Sequence, residues 1–232
     1  MVETAHPRID VVEPPTTSGP VAAAALVLHG GREHSTEPVE HGQLAVRRMR
    51  PFARALAAAG CEHGLAVWSL QHLVRGWNGD ERSPVGDAEW ALEQIQARYG
   101  AVPVALVGHS MGGRTAVAVA GDPHVVGLAA LAPWLPADEP YRQVAGCAVL
   151  VAHGRRDTTT SPRGSLEWSR HAASVTDRIW RVEVRWERHA MLWRAPLWHS
   201  LATGFSLAAL GLGPMPRLLD RDGVDDRLRI TA

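Results

Sequence analysis

The chain has 232 residues, 46% hydrophobic and 21% charged, which excludes global disorder and a disulfide-stapled miniprotein. Its 24 basic residues, all arginine, balance 24 acidic ones, so a nucleic-acid binder working through a basic field is excluded as well. The length suits one large domain with a core of its own.

The segment Met1–Asp10 has no apolar run of the kind a signal peptide needs, so none is expected. Residues 1–20 carry Pro7, Pro14, Pro15 and Pro20 and read as an irregular lead-in with one short strand at Ile9–Val12. Apolar runs follow at Ala23–Leu28, Leu65–Ser69, Val104–Val107, Val126–Leu131, Ala148–Ala152 and Trp180–Val184. Most are continuous rather than alternating, as strands covered on both faces are. Helical patterns separate them at Leu44–Ala59, closed by Gly60 as a C-cap, and at Asp87–Tyr99, opened by an acid. Others are Met111–Ala120, Ser165–Ser174 and Met191–Leu210. Strands alternating with helices predict an α/β fold, a mostly parallel twisted sheet of about six to seven strands with helices on both faces. The expected organisation is a lead-in (1–20), one domain (21–213) and a C-terminal tail (214–232). Val21–Leu28 and Leu201–Gly213 are too short to span a bilayer. Cys61 and Cys147 have no metal-type spacing, and a cytoplasmic, reducing location is expected.

Gly108-His109-Ser110-Met111-Gly112 fits G-x-S-x-G. A strand before it and a helix after it form the setting of a nucleophile elbow. The flanking glycines remove side chains that would clash in a tight turn, and the helix N-terminus offers unpaired N–H groups. His29-Gly30-Gly31-Arg32 follows an early strand, His153-Gly154-Arg155-Arg156-Asp157 a late one, and His189-Ala190-Met191-Leu192 comes near the end. In this order the four motifs resemble those of the α/β-hydrolase superfamily, over about Ala23–Trp198. The resemblance implies a Ser110–Asp157–His189 triad in the chain order such hydrolases show. It implies an oxyanion hole from the Met111 N–H and the Gly31 N–H, with Arg32 the close alternative. Asp138 is the rival acid and His199 the rival base, although His199 lies inside a predicted helix.

Trp77, Trp134 and Trp193 fall at expected strand ends and are candidates for lining a substrate pocket; core packing is the competing use of Trp. Arg32, Arg75, Arg155 and Arg156 read most simply as a solvated face. Only Ala132–Cys147 joins two central strands where many relatives carry a cap domain, so a lidless, open site is expected. The resulting expectation is a serine hydrolase cleaving a small carboxylic ester through an acyl-enzyme, with no metal or organic cofactor. Its partner is a small-molecule ester, with neither nucleic acid nor membrane expected. An acyltransferase, thioesterase or amidase would use the same residues. A non-catalytic binding protein on the same fold is the alternative from another class.

Overall fold

A computed structural model describes residues 6–232; the start of the stretch read as leaderless, residues 1–5, lies outside the described residues. The elements are β1 (Arg8–Val12), β2 (Ala23–Leu28), α1 (Leu44–Gly60), β3 (Leu65–Gln71), α2 (Ser83–Tyr99), β4 (Val104–His109), α3 (Met111–Ala118) and β5 (Val125–Leu131). They continue with β6 (Ala148–Gly154), α4 (Pro162–Ala172), β7 (Ile179–Val184), α5 (Ala195–Ala209), α6 (Val224–Arg227) and β8 (Ile230–Thr231).

All eight strands join one sheet in the order β1-β3-β2-β4-β5-β6-β7-β8. Only β1 runs antiparallel to its neighbour. The expected strand number was low because β8, two residues long, lies in the segment read as a tail. Ile230 pairs with Val182 and Thr231 with Glu183. Residues 214–232 also hold α6 and a 3-10 turn at Arg217–Leu219, whose Leu219 is buried.

Continuous apolar strands arise because each strand feeds two cores. Ala24, Leu26 and Leu28 pack on one face with α2, α3 and α4 residues such as Leu92, Ile95, Val117 and Trp168. Ala23, Ala25 and Val27 pack on the other with Met49, Phe52 and Leu56 of α1 and Trp198, Leu201 and Phe205 of α5. Side chains alternate between faces along a strand, so both faces must be apolar. The alanine-rich start of β2 has helical propensity, and burial between two helix layers overrides it.

Three local readings change. Gly60 sits inside α1 with φ −97°, and the left-handed residue is Gly64 (φ 70°) after a further 3-10 turn. Gly60 is required for space, because a Cβ there would run into the Leu65 side chain. α2 begins four residues before Asp87, which is buried. α5 begins at Ala195, so His189 and Met191 stand in the loop before it.

Sheet order places the site. From β2 the chain crosses to β3 on one side, while β4 continues on the other, so the loops after β2 and β4 diverge and leave a crevice. Gly30 and Ser110 meet in that crevice. Between β5 and β6 the chain makes only a 3-10 turn at Arg142–Val144, and no cap domain covers the sheet edge there.

Phe52 is fully buried under α5, in an edge-on contact with His199. Phe52→Ala should cost about 3–5 kcal/mol. Urea unfolding measures this; a loss below about 1 kcal/mol would mean that α1 does not close this core.

Candidate active site

Ser110 occupies the turn between β4 and α3 with φ 56° and ψ −118°, a conformation that L residues rarely adopt. Its neighbours hold it there. The Ser110 N–H donates to the Leu131 carbonyl (3.0 Å), and the Ser110 carbonyl accepts from the N–H groups of Gly113 (3.1 Å), Arg114 (3.2 Å) and Trp134 (3.1 Å). A Cβ at Gly108 would strike the Gly112 carbonyl, and one at Gly112 would strike the carbonyls of Leu28 and His29. The two glycines therefore serve close backbone approach, as the motif predicts.

The three residues matched to a triad stand together. The Ser110 hydroxyl lies 3.0 Å from Nε2 of His189, and Nδ1 of His189 lies 2.8 Å from Oδ2 of Asp157. Asp157 is enclosed by donors. Its Oδ1 accepts from the N–H groups of Thr159 (2.8 Å) and Thr160 (3.0 Å), and its Oδ2 from the Thr160 hydroxyl (2.9 Å) and His153 Nε2–H (3.2 Å). Burial alone would raise the Asp157 pKa. The bonds from His153, His189 and Thr160 outweigh it and hold the carboxyl well below the usual range. A carboxylate fixed in this way makes Nδ1 of His189 the protonated nitrogen and leaves Nε2 free to accept the serine proton. Asp138 is exposed, and His199 sits in α5 against Phe52.

The N–H groups of Met111 and Gly31 find no acceptor among the described residues. Arg32 does not share that freedom. Its N–H donates to the Arg75 carbonyl (2.7 Å) and its carbonyl accepts from the Trp77 N–H (2.9 Å), a bridge that ties the loop after β2 to the loop after β3. This removes the alternative oxyanion donor. His29 braces the same loop. Its Nδ1–H donates to the Gly30 carbonyl (2.7 Å) and its Nε2 accepts from the His72 N–H (3.2 Å). The His72 ring in turn donates to Asp87 (3.2 Å). Asp87, read from sequence as a helix-opening charge, is the buried end of this brace.

Sequence reasoning missed Glu187. It is fully buried and gathers the loop that carries His189. Its carboxylate accepts from the N–H groups of Arg188 (3.0 Å), Trp193 (3.4 Å) and Arg194 (2.8 Å) and from the Trp198 indole (3.1 Å). Arg48 pins the same loop through the carbonyls of Ala190 and Met191. His109 donates from Nε2 to the His189 carbonyl (2.9 Å), and the two rings lie 4.8 Å apart. Trp186 (φ 64°) and Met191 (φ 54°) are the left-handed residues of this loop, so Arg188 before His189 needs no glycine. An acid in a loop full of arginines carries no sequence signal for such a role.

The tryptophans divide. Trp77 is buried with the Arg114 guanidinium over its ring (3.9 Å); Trp134, edge-on to Trp77, lies 4.5 Å from the same guanidinium, and Glu139 binds it. Trp134 follows the elbow closely through its bond to Ser110. Trp193 is 76% exposed. Apolar lining comes instead from Leu44, Ala45, Pro51, Ala190 and Leu192 around a cavity of about 440 Å³ that touches His189.

A parallel sheet with a serine on its central elbow defines an α/β hydrolase. More narrowly, the chain belongs to the serine aminopeptidase S33 family, whose model matches residues 19–149. No curated protein sequence matches it. Among solved structures it is similar to esterase 2 of Thermogutta terrifontis, phosphonylated by cyclosarin, at 13% identity and TM-score 0.68, covering 93% of each chain. It is also similar to a serine hydrolase without lid from Xanthomonas campestris (19% identity, TM-score 0.64, 90% of each chain). A third is a monoacylglycerol lipase from Paleococcus ferrophilus (14% identity, TM-score 0.65, 88% of this chain and 100% of that one). At these identities the solved structures show the fold alone. No helix among the described residues is long and apolar enough to cross a membrane.

Two outcomes test the supports. Glu187→Gln turns one acceptor oxygen into a donor facing N–H groups and should cost about 2–3 kcal/mol in urea unfolding; an unchanged midpoint would contradict the loop's dependence on this carboxylate. Burial, with His189 adding repulsion, pushes the His109 pKa down to about 3, against 6.5 for an ordinary histidine. Below pH 6.5 the unfolded chain therefore takes up a proton that the folded protein refuses. Stability falls as pH drops from 6.5 towards 3, by about 1.4 kcal/mol per pH unit for this group. His109→Gln should flatten the measured slope by that amount, and an equal slope would refute the assignment.

Proposed function

We propose that the protein is a serine esterase for small, soluble carboxylic esters, with Ser110 as nucleophile. The observation that carries this reading is the unbroken line from Ser110 Oγ through His189 to Asp157, beside two unpaired N–H groups. His189 Nε2 takes the serine proton as Oγ attacks the ester carbonyl. The N–H groups of Met111 and Gly31 receive the negative oxygen of the tetrahedral intermediate. Collapse breaks the ester C–O bond, and His189 returns its proton to the leaving alkoxide. Water then attacks the acyl-serine by the same route in reverse roles, giving the acid and restoring Ser110. Asp157 holds the His189 tautomer and stabilises its charged form throughout.

The family's name raises peptide hydrolysis as a second reading. An aminopeptidase must receive the substrate's N-terminal ammonium, for which a carboxylate is the natural partner. The cavities bordering His189 and the Gly31 loop are lined by Arg32, Arg47, Arg48 and Arg75 and by no Asp or Glu among the described residues. That charge pattern favours esters.

Ser110→Ala should lower turnover of p-nitrophenyl butyrate by roughly a factor of a million, as a triad acting as one unit requires. A fluorophosphonate should label wild type at Ser110 and leave the variant unlabelled. Wild-type-like turnover by purified Ser110→Ala would exclude the proposal, and the acetate, butyrate and octanoate series would size the pocket.

A further inference from the structure

The groove beside His189 carries a charge that ester cleavage does not use. In α1, Leu44, Arg47, Arg48 and Pro51 are spaced i, i+3, i+4, i+7, so they share one stripe of the helix. That stripe forms one wall of the 440 Å³ cavity, and His189, Ala190 and Leu192 form the other. Leu44 is 80% exposed and Leu192 64%, so the groove is apolar and open. Its two arginines differ. Arg48 is spent on the carbonyls of Ala190 and Met191. Arg47 is exposed, and its guanidinium has no hydrogen-bond or ion-pair partner among the described residues. Among the described residues no carboxylate lines the groove to neutralise it.

Proton transfer fixes which part of a substrate enters. The oxygen that His189 protonates on collapse belongs to the leaving alcohol and must lie within hydrogen-bond reach of Nε2. The groove borders His189, the group that hands the proton to that oxygen. We propose that this groove binds the alcohol arm and that Arg47 selects arms ending in an anion, a carboxylate or a phosphate. The substrate class is then an ester of an anion-bearing aryl or alkyl alcohol. The chemistry balances as for any ester: the acyl–oxygen bond to the alcohol breaks, a bond to Ser110 Oγ forms, and the alcohol leaves with the serine proton and its anion intact. The inference rests on the esterase reading above. A pair this exposed is worth up to about 1 kcal/mol, or about fivefold in preference.

The test uses butyrate esters of 4-hydroxybenzoate and of 4-hydroxyphenyltrimethylammonium with wild type, Arg47→Gln and Arg47→Glu. The readout is the ratio of kcat/KM for the anionic over the cationic ester. Leaving-group reactivity cancels when that ratio is compared between proteins, and damage to the fold lowers both esters together. The ratio should fall about fivefold in Arg47→Gln and further in Arg47→Glu, chiefly through KM, with the wild-type preference weakening as salt rises. An equal ratio in all three proteins overturns the role of Arg47. So does fluorophosphonate labelling of Ser110 without turnover of either ester, because the groove then does not take such arms. Absence of both labelling and turnover overturns the esterase reading, and this inference with it.

Discussion

Everything at this site depends on a left-handed serine between two glycines. Ser110 pays for φ 56° with backbone strain of order 1–3 kcal/mol, and the surroundings leave it no alternative. Its carbonyl is taken by three N–H groups, one of them from Trp134 beyond the next strand. The strain turns the side chain out of the sheet edge and points the first N–H of α3 at the same space. Glycine at 108 and 112 lets the turn close against its own helix and against the end of β2. One constraint thus fixes Ser110, the helix terminus and the distance to the Gly31 loop together.

A second layer consists of neutral, buried histidines. Burial pushes the pKa of both His29 and His109 down to about 3 and lowers that of His153. Uncharged rings suit their positions. His29 can accept from the His72 N–H only through a deprotonated nitrogen, and His109 lies against His189, where a second positive charge would oppose an imidazolium. Asp157 supplies a negative charge at Nδ1 of the same ring. The proposed base therefore has a carboxylate bonded to its Nδ1 and an uncharged ring beside it.

Much of this was legible in the sequence, for a physical reason. Ser110, Asp157, His189 and Gly31 sit in the loops that follow strands, where the chain must turn and local spacing carries information. Strand boundaries were legible because both sheet faces are apolar. Braces were not. Asp87 and Glu187 are carboxylates whose partners lie on other elements, and a charge in a polar stretch looks solvated until the fold closes over it. β8 was missed because two residues at an edge leave no periodic pattern. The tryptophans misled in part: Trp77 and Trp134 do reach the neighbourhood of Ser110, but they spend their faces on Arg114 rather than opening them to a ligand.

That last arrangement shows how arginine, the chain's only strongly basic residue type, ties together the loops around the crevice. A guanidinium is planar and weakly hydrated, so it can lie against aromatic rings and still satisfy a carboxylate at its edge. Arg114 does this one turn after Ser110, joining α3 to the loops after β3 and β5 through Trp77, Trp134 and Glu139. Arg48 does the equivalent for the His189 loop, its guanidinium against Phe52 and its donors on two carbonyls. A lysine could supply neither fork nor face. Among the described residues no cap domain clamps the loops, and these two cations hold them from the sides.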